Sequence, residues 1–123
     1  MKKTNDKINL IRLKLSSYMV DLHHTRMKFY GMDTGAEPAD EKFYQVFGKL
    51  MVLTDLASIL DRNAGYPHTE EGVKELLIDI EAKKSAMARK MIASQRPEML
   101  KVLENYSDTS NTITETLQKV VNP

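Results

Sequence analysis

Apolar residues recur at intervals of three and four along nearly the whole chain. Ile8, Ile11, Leu15, Tyr18, Leu22 and Phe29 form one series, and Phe43, Val46, Leu50, Leu53, Ala57 and Leu60 a second. Val73, Leu77, Ile80, Met87 and Met91 form a third with a gap at Lys84. Met99, Leu103, Tyr106, Ile113, Leu117 and Val120 form a fourth with a gap at Ser110. Such spacing stacks side chains along one stripe of a helix. The pattern predicts an all-α fold of four long amphipathic helices, at about 5–30, 39–62, 69–95 and 97–121, in one domain over residues 1–123. Segments of matched length joined by short links pack most economically as an antiparallel, up-down-up-down bundle.

Residues between the stripes mark the ends. Thr4, Asn5 or Asp6 is available to cap the first helix, and Gly31 stops it. Asp40 is placed to cap the second. Asn63-Ala64-Gly65 supplies a position tolerant of positive φ at its end, and Pro67 prevents continuation. Thr69 is expected to cap the third helix, with Glu70 and Glu71 at the positive end of its dipole. Pro97 removes an amide and restricts Arg96. The sequence allows either a reversal there, through Ser94, Gln95 and Arg96, or a kink. Ser107 to Thr112 are poor helix formers, and Thr112 with Glu115 matches a capping box. Because the stripe keeps its phase from Tyr106 to Ile113, one long helix with a weak centre is expected; two shorter helices are the alternative.

Composition narrows the class. A chain of 123 residues with 41% hydrophobic content buries roughly two thirds of its unfolded surface without disulfides or metals. Cysteine is absent, which excludes disulfide frameworks, thiolate metal sites and cysteine nucleophiles. Eight methionines suit adaptable contact surfaces. Arg12 and Lys14 interrupt the N-terminal apolar run, and no stretch of about 20 apolar residues follows, so a cytoplasmic location is expected.

Candidate chemistry is thin. Asp33-Thr34-Gly35-Ala36 copies the string around the catalytic aspartate of retroviral-type aspartic proteases, but it lies between helical segments without a leading strand or a second copy. It reads as an ordinary turn. His23 and His24 are adjacent on one helix, about 100° apart, and no Glu-x-x-His motif accompanies them. His68 follows Pro67 in a turn. The glycines form no phosphate-binding loop. Glu75, Asp79 and Glu81 fall mostly off the apolar stripe and read as solvated partners, Asp79 with Lys83 at i,i+4 spacing. No cofactor, metal or catalytic site is expected.

Charge is segregated although the net is only +1. Residues 1–30 carry +5, 31–82 carry −7 and 83–101 carry +5. In an antiparallel bundle Arg26, Lys28, Arg89, Lys90, Arg96 and Lys101 gather at one pole, close to His23 and His24, where they could bind nucleic acid. Asp33, Glu37, Asp40 and Glu41 share that pole and oppose this reading. A helix-turn-helix over Leu56 to Leu77 is ruled out by the Gly65-Tyr66-Pro67 turn.

Two helices carry more apolar residues than one stripe requires. The first has Leu10, Leu13, Val20 and Met27 nearly opposite its main series, and the second has Val52, Leu56 and Ile59 away from its own. Such extra faces predict contact with a second copy or another protein; the alternative is deeper packing within one chain. The sequence therefore predicts a non-enzymatic protein–protein interaction module, a small regulator, inhibitor, adaptor or chaperone that self-associates as a dimer. A nucleic-acid-binding regulator is the second reading, and a helical hydrolase or metalloenzyme a distant third.

Overall fold

The structure, a computed structural model, describes residues 2–32 and 41–123, with side chains from Asp6 onward. It consists of four helices, α1 (Lys2–Tyr30), α2 (Glu41–Arg62), α3 (Glu70–Ala93) and α4 (Pro97–Val121), with no strand among the described residues. The predicted fold class holds, and the ends move by a few residues. α1 begins at Lys2, so Thr4, Asn5 and Asp6 lie inside the helix instead of capping it. Asp40 lies outside the described residues.

The end of α2 is built from backbone bonds. Gly65 N–H donates to Leu60 O at 2.7 Å and Ala64 N–H to Asp61 O at 3.2 Å, the paired bonds of a Schellman turn. Ala64 takes the left-handed position with φ 62°, and Gly65 follows at φ 105°. Thr69 caps α3 as expected, its Oγ1 accepting from Gly72 N–H at 3.0 Å. α3 ends at Ala93, two residues early. Ser94 Oγ donates to Met91 O at 2.6 Å, Gln95 turns through φ 57°, and Arg96 is extended before Pro97, as the proline ring demands. α4 is one uninterrupted helix through Ser107–Thr112, where Thr112 Oγ1 donates to Asp108 O.

Contacts across the helices set their directions. Asp21 meets Lys49 and Phe29 meets Phe43 between α1 and α2; Asn63 meets Asp79 between α2 and α3; Lys84 meets Asn111 between α3 and α4. Consecutive helices are therefore antiparallel, and the chain reverses at Ser94–Arg96. α2 and α4 run parallel, since Glu41, Gly48 and Asp55 meet Lys101, Asn105 and Tyr106 in that order.

This diagonal pair, α2 with α4, is the most closely packed in the bundle, whereas α1 and α3 barely touch. The cross-section is a flattened rhomb with α2 and α4 on its short diagonal and α1 and α3 at its outer corners. Gly48 permits the close approach: a Cβ there would lie 2.7 Å from Asn105 Cβ and 3.1 Å from the Tyr106 backbone nitrogen. α2 is long and apolar enough to cross a bilayer by length and composition. Val46, Val52, Leu53, Leu56, Ile59 and Leu60 are instead buried among the other helices.

The stripes are buried with two adjustments. In α4 the inward face runs through Val102, Tyr106, Ser110, Ile113 and Leu117, so Ser110 continues the stripe as a small polar residue and Leu103 sits at its margin. In α3, Leu76 is buried more deeply than Leu77.

Candidate interaction surfaces

On α1 the two apolar series part company. Ile8, Ile11, Leu15 and Leu22 are buried, while Leu10, Leu13, Val20 and Met27 are 43%, 67%, 54% and 61% exposed. Residues 11 and 13 are about 200° apart on a helix, so burying one series turns the other outward. Leu13, Val20 and Met27 recur every seven residues, and Leu10, exposed Ser17 and exposed His24 form the neighbouring row.

The corresponding expectation for α2 is corrected. Val52, Leu56 and Ile59 are buried and face Ile80 of α3 and Tyr106 and Ile113 of α4. α2 packs against α1, α3 and α4, so both of its apolar stripes are covered and neither is free for a partner. Outside α1, Ile78, Ile92 and Leu100 are also exposed. The sequence reading missed them; Ile78 could have been found from its place two residues before Ile80, away from the inward face.

At the other candidate surface, the topology places Arg26, Lys28, Arg89, Lys90, Arg96 and Lys101 at one end of the bundle, all exposed. Lys101 is held by Glu41 at 3.3 Å and lies over the Tyr44 ring, 5.5 Å from its centroid. The other five form no ion pair among the described residues. All three phenylalanines meet here: Phe29 lies 6.0 Å from Phe43 and 5.7 Å from Phe47, and Phe43 stacks on Phe47 at 5.8 Å. Tyr30 beside them is largely exposed. Asp33, Glu37 and Asp40, expected to oppose this charge, lie outside the described residues.

The interior holds one polar contact of note. Tyr106, buried on α4, donates its hydroxyl to Asp55 Oδ2 on α2 at 2.7 Å. Burial first, and then the hydrogen bond and charge of Asp55, push the phenol well above its ordinary value. The hydrogen bond makes the pair a clip between α2 and α4. The adjoining void is only about 10 Å³, whereas small-molecule sites span roughly 300–1,000 Å³.

A larger open groove of about 420 Å³ between α1 and α4 is lined by Lys7, Leu10, Lys14, Thr116, Lys119 and Val120, among others. The Thr116 hydroxyl in it already donates to Thr112 O at 2.8 Å. Among the described residues no group of three or more His, Asp or Glu could hold a metal ion; His23, His24 and His68 are exposed. Asp79 accepts from Asn63 at 3.2 Å and does not pair with Lys83, which turns toward the core void. The Asp33-Thr34-Gly35-Ala36 string lies outside the described residues.

The surfaces thus define an all-α bundle with one helix apolar on both faces at an outer corner. Comparison with protein-family models, curated proteins and solved structures yields no match.

Proposed function

We propose that the chain is a non-enzymatic, cytoplasmic protein–protein interaction module, a small regulator, inhibitor, adaptor or chaperone, that engages its partner through the outer face of α1. The observation that supports this is the exposure of Leu10, Leu13, Val20 and Met27 along one face while the opposite face is buried in the core. Single exposed apolar residues are ordinary on soluble proteins, but four on one face over nearly three heptads repeat at the spacing of a helix contact seam. The test is affinity capture from the native host with wild type and Val20→Asp as baits, after circular dichroism shows equal helicity. A protein retained by wild type and lost with the variant is expected. Identical capture by both overturns the reading.

A second reading, nucleic-acid binding at the basic end, is supported by five cations without ion-pair partners among the described residues, beside the phenylalanine cluster and Tyr30. Cationic grooves flanked by aromatic rings bind strands through phosphate contacts and base stacking. Binding to a generic oligonucleotide that weakens steeply with salt and is lost in Arg89→Ala/Arg96→Ala is the expected result. Absence of any salt-dependent binding removes this reading.

A further inference from the structure

We infer that the occupant of the outer α1 face is α1 of a second copy, packed antiparallel. The inference rests on the docking reading above and names its partner. Leu10, Ser17 and His24 stand in one row of the face and Leu13, Val20 and Met27 in the next, the a and d positions of a heptad. In a parallel pair each row meets itself, so Ser17 would bury against Ser17 and His24 against His24, two polar layers in one short seam. In an antiparallel pair centred between Ser17 and Val20 the rows cross. Leu10 then meets Met27 of the second copy, Leu13 meets His24, and Ser17 meets Val20, so that every layer contains a large apolar side chain.

Charge at the flank agrees with the same register. Lys14 falls opposite Asp21 of the second copy, and the two-fold axis repeats this pairing. Asp21 already binds Lys49 of its own chain through Oδ2 at 3.1 Å, and its carboxylate has a second oxygen for Lys14. The one like-charged meeting is Lys7 with Lys28, and Lys7 is drawn toward α4 by the Val121 carbonyl at 3.2 Å.

The shape admits a second helix, and the area is that of a weak contact. α1 sits at an outer corner of the rhomb, packed mainly on α2 and opposite α3, and at the Leu10 and Lys14 end a second helix would also border the groove with α4. The four apolar side chains leave roughly 400 Å² exposed per copy, about half of the roughly 800 Å² per partner of a standard interface. Tyr30, 73% exposed, lies opposite Asn9 and extends the contact at each end. An interface of this size corresponds to a reversible dimer.

The chain has no cysteine, so single cysteines report the register directly. Leu10→Cys and Met27→Cys chains are purified separately, mixed and oxidised. The expected product is a disulfide between a Leu10→Cys chain and a Met27→Cys chain, with little cross-linking of either alone. Cross-linking of each variant to itself and none between them overturns the antiparallel register. Sedimentation of wild type should show a dimer at about 100 µM, and Val20→Asp should raise the dissociation constant at least roughly tenfold. Met27→Asp, nearer the helix end, gives the same readout where Val20→Asp unfolds. A wild type that stays monomeric at that concentration overturns the second copy as occupant; the capture experiment above decides separately whether α1 docks another protein.

Discussion

Gly48→Ala places one methyl group where α2 and α4 come closest. The new Cβ would lie 2.7 Å from Asn105 Cβ, 3.1 Å from Tyr106 N and 3.2 Å from the Asn105 carbonyl carbon. Two of these are backbone atoms, and the first is fixed to the backbone, so no flexible side chain can move aside. The helices must part by several tenths of an ångström or more. Against this, alanine is favoured over glycine in a helix interior by about 1 kcal/mol. Forcing extra volume into a packed seam costs about 1–3 kcal/mol, and separation also weakens the dispersion contacts around Val52 and Tyr106. The net expectation is a loss of about 1 kcal/mol, or a fall in Tm of roughly 3–5 °C for a domain of this size. Thermal and urea unfolding measure it. Ser58→Ala, on an exposed site of the same helix, is the control and should stabilise by a few tenths of a kcal/mol. A Gly48→Ala protein more stable than wild type, by an increment like that of Ser58→Ala, would refute the close packing of α2 on α4.

Two further substitutions probe local features. Ala64→Gly relieves a left-handed alanine at the end of α2 and should stabilise by about 0.5–1 kcal/mol, after the entropy that glycine adds to the unfolded chain, as read by urea unfolding. Tyr106→Phe removes the hydrogen bond to Asp55 and should cost about 1–2 kcal/mol near neutral pH. Because the folded state raises the Tyr106 pKa, this contribution is complete below about pH 10, the ordinary tyrosine value, and is lost as pH rises toward the raised one. Wild type should therefore lose stability in alkaline solution faster than Tyr106→Phe, and parallel pH profiles would exclude the effect.

Local order was legible because each helix needs at least one apolar stripe, and capping and turn residues act within a few positions of themselves. Thr69 and the Ala64-Gly65 turn are of this kind. What the sequence left open is set by neighbours distant along the chain. α1 and α2 both carry a second apolar face, and nothing local distinguishes Leu13, Val20 and Met27 from Val52, Leu56 and Ile59. The fold exposes the first group and buries the second because α2 lies on the short diagonal and α1 at a corner. Gly48 reads as one of several scattered glycines until α4 is seen against it. Ser110 reads as a gap in a stripe, although the stripe continues through it. The meeting of Phe29 with Phe43 and Phe47 at the basic end likewise depends on the α1–α2 reversal.

The parallel α2–α4 contact has a consequence for the order of folding. Its members are far apart in the chain, with Asp55 and Tyr106 separated by 51 positions, whereas the α1–α2 and α3–α4 hairpins close much shorter loops. Short loops form first, and the distant contact must wait for the hairpins to find each other. Until they dock, one hairpin displays Val52, Leu56 and Ile59 and the other Val102, Tyr106 and Ile113. At high concentration a hairpin from one molecule can meet its complement on another before meeting its own. The turn from Asn63 to Thr69 is the tether that makes the intramolecular encounter win, and shortening it until the two hairpins can no longer dock on each other shifts the outcome toward molecules that exchange hairpins.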